Sequence, residues 1–340
     1  MRKKENSSFF YGLLFFVLFG TASLIIFSKV IDSPILEKKQ QEFSIFIPKE
    51  GRLLYEVLDT LGSKGQIKYF QAISILADLR GYDSAKFGHY KLDSTIGVME
   101  FLRKLTFGYE DPLKVRIGGY KSRESYLKGL SNIFPRSIDS LRTYLGNDTS
   151  WSRIIPNTYE MYWSSDPKDI SNRLRREYDV FWGKHRLDRA EHLGFSPDEI
   201  MIIASISQAE TKALDELPRV AALYISRLRI GKPLESDPTA VYAYHEMNPG
   251  TGIVRRVSRK ITRINHPYNT YIIPGLPPSP IATVEPEIID AVLSAIPKGE
   301  LYMCADPKRI GYHNFTSSFR QHLINSSKYH RSLNQRGIRR

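Results

Sequence analysis

The chain has 340 residues, 41% of them hydrophobic and 25% charged, a mixture that supports folded cores and excludes collagenous or disordered polymers. Its mean hydropathy of -0.33 excludes a polytopic membrane protein, and its length calls for more than one compact unit. The net charge of +13 asks for a polyanionic neighbour; with no nucleic-acid motif beside the basic clusters, an anionic bilayer or wall polymer fits and nucleic acid does not.

Residues 1–8 carry Arg2, Lys3 and Lys4 and precede an uncharged run from Ser8 to Ser28, rich in Phe, Leu, Ile and Val. Roughly 20 such residues span a hydrocarbon layer as a helix, so 9–29 is expected to be a single transmembrane anchor. The basic flank keeps the N-terminus cytoplasmic and sends the remainder across the membrane. A cleaved signal peptide is the rival; Gly20, Thr21 and Ala22 are small, but Leu24 to Phe27 continue the apolar run past them. Residues 30–42 read as a linker.

A small α/β module is expected over 43–108. Phe43, Ile45 and Ile47 alternate with Ser44 and Phe46 as a strand, and Leu53, Leu54, Val57, Leu58 and Leu61 recur at three and four along a helix closed by Gly62. A second helix carries Ile67, Phe70, Ile73 and Leu76; Gly88 to Leu92 is a strand, and the helix from Ile96 to Leu105 stops at Gly108. A connecting α/β region over 109–195 holds a strand at Val115 to Ile117 and a helix at Ser122 to Leu130, with Pro156 to Tyr159 breaking the pattern.

The stretch 196–330 carries the chemistry, and 331–340 is a basic tail. Ser196-Pro197-Asp198-Glu199 is a helix start, with a serine cap, proline at the first position and glutamate closing a capping box. Ile203, Ile206, Glu210 and Leu214 then fall on one stripe, so the Glu210 carboxylate is expected among aliphatic side chains, where its pKa rises toward the range a general acid needs. The same spacing also allows a carboxylate at a helix end that leans into solvent or caps the turn around Asp215. Pro218 opens a further helix that Gly231 ends. The lone cysteine, Cys304, excludes an intramolecular disulfide and reads as filler in a strand; no metal site or cofactor is expected.

Ala204 to Thr211, Val220-Ala221, Arg227-Leu228, Ser236-Asp237-Pro238-Thr239, Pro267 to Tyr271, Gly275 to Ile281, His313, Phe315 and His322 together resemble the core of the YceG-like, or MltG, endolytic murein transglycosylases. The Pro156 to Tyr159 motif fits as well, and 43–108 is similar to the family's LysM-like module. Gln208, Ser226 and Ser279 stand where the family usually has glutamate, asparagine and glycine, and Gly118-Gly119-Tyr120 replaces a Pro-Glu-Gly.

The resemblance implies an α+β protein with a transmembrane helix, a LysM-like module and a mixed α/β catalytic core over 196–330. It implies an enzyme of the bacterial inner membrane with a periplasmic catalytic domain. That enzyme would cut the MurNAc-GlcNAc bond of nascent peptidoglycan strands, leave 1,6-anhydroMurNAc ends, and work beside peptidoglycan synthases. Glu210 would be the single acid/base, with Glu216, Asp237, Tyr268, Asn269 and Tyr271 binding substrate. Two other functions stay open: a non-catalytic wall-binding scaffold for synthases, and a water-using glycosidase whose second carboxylate would be Glu216, Glu235 or Asp237.

Overall fold

A computed structural model describes residues 14, 18, 21, 28, 29, 31, 33–36, 42–254 and 256–335. Among them no helix is long and apolar enough to cross a membrane. Only Leu14, Leu18, Thr21, Ser28 and Lys29 of the expected anchor are described, so the expectation for 9–29 lies outside the described residues, as do Arg2, Lys3, Lys4, Arg255 and most of the basic tail.

The chain divides into two compact units: one of residues 1–114 and 160–165, the other of 115–159 and 166–340. In the first, strand β1 (Phe43–Ile47) pairs antiparallel with a strand at Gly88–Leu92, with Ile45 opposite Tyr90. The alternation seen in the sequence sends Ile47 inward, while Phe46 faces out against His89 and Trp163, ring centroids 4.8 and 5.1 Å away. A short β2 (Arg52–Leu53) leads into α1 (Leu54–Ser63), whose Leu54, Val57, Leu58 and Leu61 enter the core beside Ile73, Leu76 and Ala77 of α2 (Phe70–Leu79). Gly62 lies inside α1 and does not end it. A Cβ there would come within 2.3 Å of the Phe70 ring, so glycine serves the close approach of α1 and α2. After β3 (Ser84–Ala85) and β4 (Gly88–Leu92), α3 (Val98–Phe107) buries Val98, Phe101, Leu102 and Leu105 and ends at Gly108, whose φ of 76° is the left-handed cap expected there.

The second unit is mainly helical. It begins within β5 (Leu113–Ile117), continues through α4 (Arg123–Ile133), α5 (Ile138–Leu145) and α6 (Asp148–Ser152), and includes most of β6 (Asn157–Met161), which pairs with β5. Pro156 to Tyr159, expected as a break, thus enters a strand. The unit resumes with α7 (Pro167–Phe181), α8 (Lys184–Leu193), α9 (Pro197–Glu210), α10 (Leu217–Arg229), α11 (Asp237–Met247), α12 (Arg259–Thr262) and α13 (Pro286–Leu293). A hairpin of β7 (Tyr302–Ala305) and β8 (His313–Thr316) is followed by α14 (Phe319–Gln335), and Cys304 lies in β7 as expected.

The helix α9 starts as its sequence foretells: the Ser196 hydroxyl accepts from the Glu199 amide, and the Glu199 carboxylate accepts from the Ser196 amide at 2.8 Å. Its apolar stripe, however, is not one-sided. Ile200 through Ser207 are all buried, because α6, α8, α10, α11 and α13 pack around the helix. The helix also stops at Glu210, with Thr211 extended at φ −137°, so Leu214 leaves the stripe and is 57% exposed.

Candidate active site

Glu210 closes the C-terminal end of this enclosed helix. Its Oε1 accepts two hydrogen bonds, from the Tyr224 hydroxyl of α10 at 2.6 Å and from the Ser236 hydroxyl, at the cap of α11, at 2.9 Å. Among the described residues no protein group bonds Oε2. The carboxylate therefore neither leans into solvent nor caps the turn at Asp215, which accepts instead from Tyr312. Burial is the main influence on its pKa and raises it above the ordinary carboxylate range; Tyr224 and Ser236 oppose the rise, the charge of Asp237 adds to it and His313 lowers it. The Tyr224 hydroxyl is itself held well above its usual pKa, by burial first and by Glu210 next, and stays a donor at any physiological pH.

Ser236 is positioned from below. Its amide donates to the Thr270 hydroxyl at 3.1 Å, Thr239 donates to its carbonyl at 2.7 Å, and the two threonine hydroxyls lie 2.7 Å apart. The preceding residue, Glu235, sits at φ 51°, a left-handed conformation that non-glycine residues adopt at a cost of about 1 to 3 kcal/mol. Buried Arg227 fixes this bend: it donates to the Pro233 and Leu301 carbonyls, both at 2.7 Å, and pairs with the Glu235 carboxylate.

Of the residues expected around Glu210, Asp237 and Tyr271 are brought together, the Tyr271 hydroxyl donating to Asp237 at 2.7 Å. Burial and the Asp237 carboxylate raise the Tyr271 pKa, and Glu210 adds to the rise. Glu216 is only 7% exposed, and its carboxylate accepts from the His313 amide at 2.7 Å and contacts the His313 ring nitrogen Nδ1 at 2.9 Å. Its contact with the site runs through that imidazole.

Tyr268 and Asn269 are placed differently. Tyr268 is buried on Tyr242, ring centroids 4.7 Å apart, with its hydroxyl among Arg123, Asp148 and Ser279. Asn269 is fully buried. Its amide donates to the Thr262 and Ile264 carbonyls at 3.1 and 2.7 Å, and its oxygen accepts from the Tyr271 amide at 3.2 Å. It shapes the loop that presents Tyr271.

Sequence reasoning gave no role to Tyr224 or Ser236. Ser236 stands inside a motif quoted above, whereas Tyr224 lies in the helix opened by Pro218 with nothing in its local spacing to mark it. Gln208, on another face from the acid, clamps a neighbouring strap: its amide donates to the Thr283 carbonyl at 3.1 Å and its oxygen accepts from the Glu285 amide. A glutamate could not make both bonds when ionised.

Near the end of α9 runs an open groove of about 1140 Å³ within the second unit, bordered by Gln208, Ala209, Lys212 and Pro238, the chain neighbours of Glu210 and Asp237 rather than those two carboxylates themselves. Among the described residues no cluster of histidine, cysteine and carboxylate side chains could hold a metal ion.

Comparison with known proteins supplies the lineage. The chain is 22% identical over 332 residues to an endolytic murein transglycosylase of Streptococcus pneumoniae strain D39, an alignment that takes in 86% of this chain and 60% of that protein. It thus spans about three-fifths of the pneumococcal relative's length. An endolytic murein transglycosylase of Bacillus subtilis is 22% identical over 342 residues, covering 92% of this chain and 91% of the relative. A crystal structure of a YceG-like protein from Listeria monocytogenes has a similar fold, with a TM-score of 0.51 at 20% identity over 83% of this chain and 98% of that one. The sequence model of the YceG-like family matches residues 46–328, and the chain belongs to that family.

Proposed function

We propose that this protein is an endolytic lytic transglycosylase that cuts the MurNAc-GlcNAc bond of peptidoglycan strands, with Glu210 as its one acid/base. The observation that carries the reading is a carboxylate at the end of α9 whose two protein donors, Tyr224 and Ser236, both fall on Oε1, next to a groove bordered by its chain neighbours Gln208 and Ala209. Two donors hold Oε1 as the acceptor oxygen, so the acid's proton resides on Oε2. Burial raises its pKa, which favours keeping that proton to higher pH than an ordinary carboxylate would.

In the first step the Oε2 proton passes to the glycosidic oxygen as the bond from C1 of the muramoyl residue to that oxygen breaks. The muramoyl C6 oxygen then bonds to C1 and its proton passes to the Glu210 carboxylate, which Tyr224 and Ser236 stabilise while it is charged. No water is consumed and Glu210 ends protonated. A nucleophile tethered to the same sugar also replaces the second carboxylate that hydrolysis requires. Asp237 and Tyr271 contact the sugar next to the reacting bond, while Glu216 acts through His313, and Tyr268 and Asn269 through the loops they hold.

In the same proposal, residues 43–108 are the LysM-like module and 9–29 the anchor of a single-pass inner-membrane protein with a cytoplasmic N-terminus and a periplasmic catalytic domain. The anchor would hold the enzyme on nascent strands beside the synthases that extend them. The family match and the relatives' names support the chemistry, and the apolar run behind a basic flank supports the anchor.

Among the carboxylates available to a water-using glycosidase, Glu216 is engaged by His313 and Glu235 by Arg227, whereas Asp237 accepts from a neutral hydroxyl, that of Tyr271, and is the candidate that remains. The test is digestion of uncrosslinked strands by the full chain in detergent, with mass spectrometry of the ends. Anhydromuramoyl ends are expected, falling roughly a thousandfold in Glu210→Gln. Reducing ends would overturn the transglycosylase and make Asp237 the second carboxylate; binding without cleavage would make the protein a scaffold.

A further inference from the structure

The groove near the end of α9 has a lining that a sugar chain alone does not explain. Lys121, Lys128 and Lys212 border it, all exposed, and among the described residues none of them takes part in an ion pair. The acidic residues on the same walls are engaged: Glu124 pairs with Arg142 at 2.9 Å, and Glu246 is hydrogen-bonded by the Tyr242 hydroxyl. A neutral hydroxyl leaves the Glu246 charge in place, so three exposed lysines against one carboxylate without a cationic partner give the groove a net positive charge.

Its other walls set aliphatic Val241, Val254 and Ile281 beside polar Ser122, Ser125 and His245, with Ile253 standing 91% exposed at the edge. Its aromatic side chains are Tyr242, only 7% exposed and packed on Tyr268, and His245, whose ring meets that of Tyr244. Neutral N-acetylated sugars call for stacking faces and paired polar groups. A groove of lysines and aliphatics suits short acidic peptides with small apolar side chains, which is the chemistry of the stems attached to the lactyl groups of peptidoglycan.

Resting on the transglycosylase reading of Glu210, we propose that this groove holds a peptide stem of the strand, its carboxylates meeting Lys121, Lys128 and Lys212, so that the enzyme selects peptide-bearing glycan over bare glycan. The location fits the role. Lys212 follows the acid by two residues and Pro238 follows Asp237, so a stem in the groove would place its own or a neighbouring muramoyl residue at Glu210. Three exposed charges each contribute modestly, but together they bias kcat/KM by about tenfold at low salt.

The test compares two preparations of uncrosslinked strands, one intact and one stripped of stems by an amidase, cut by the full chain in detergent. The intact strands are expected to be cut with about tenfold higher kcat/KM, an advantage carried in KM and shrinking as salt rises. In the triple variant Lys121→Ala, Lys128→Ala, Lys212→Ala, the ratio of the two rates falls toward one while the unfolding temperature is retained, and the triple Lys→Arg variant keeps the ratio high. Equal cutting of both strands by the unmutated enzyme overturns this proposal and leaves the transglycosylase standing. An equal loss on both strands in the alanine variant also overturns it, because the lysines would then serve the glycan itself. Cleavage of neither strand overturns the transglycosylase reading, and this proposal with it.

Discussion

At the scale of the residue, Glu210 holds its place against stability. Its folded pKa is raised, so between the unfolded and folded pKa values the native state binds the extra proton, and stability falls as pH rises through that window. Glu210→Gln removes the ionisation and is expected to melt higher than the parent at pH 8, with a smaller gap at pH 5, while losing activity; thermal unfolding of both proteins at the two pH values checks this. Tyr224→Phe removes a donor that favours the ionised form, so the pKa rises further and the alkaline limb of the kcat profile moves to higher pH. A profile that stayed in place or shifted to acid would contradict the Oε1 assignment. The position of the carboxylate was legible because a capping box sets the start of the helix and the rest is counting. Its partners were not, since Tyr224 and Ser236 come from elements whose packing on α9 no local spacing encodes.

At the scale of the element, α9 shows where periodicity stops informing. A helix with one buried face announces itself at a period of 3.6, whereas one enclosed by five others needs apolar or small residues at every position from Ile200 to Ser207, and the stripe dissolves into a run. Of the residues foretelling a stripe, Ile203 and Ile206 are buried, whereas Leu214 lies beyond the helix end and is exposed. Ile203→Ala is expected to cost about 2 to 5 kcal/mol, since no wall of its site faces solvent. Ser196→Ala, which removes only the cap, is expected to cost about 1 kcal/mol. Urea unfolding of both variants separates the two, and near-equal losses would mean that the core relaxes into the cavity. Gly62 makes the same point in the first unit: read as a stop, it is a contact, because the Phe70 ring that excludes a side chain there belongs to another helix.

At the scale of the whole molecule, each unit has its own hydrophobic core, one around Leu58 and Phe101, the other around Ile203 and Ile289. Leu58→Ala is expected to raise amide exchange within 43–108, and Ile203→Ala to raise it within the helices that surround α9. Exchange that rose everywhere in both variants would argue for one cooperative structure. The alternation of strand residues and the glycine cap at 108 made the first unit's elements readable, but not its dependence on a distant segment. Residues 160–165 return to it after the chain has entered the second unit, and the Ser164 amide and hydroxyl both reach the Glu110 carboxylate. Translation proceeds from the N-terminus, so when residue 114 leaves the ribosome the first unit still lacks its last piece. It waits for some fifty more residues to be made, almost all of them belonging to the other unit. A nascent chain arrested before residue 160 would carry Glu110 without Ser164, and the first unit would be complete only once part of the second already existed.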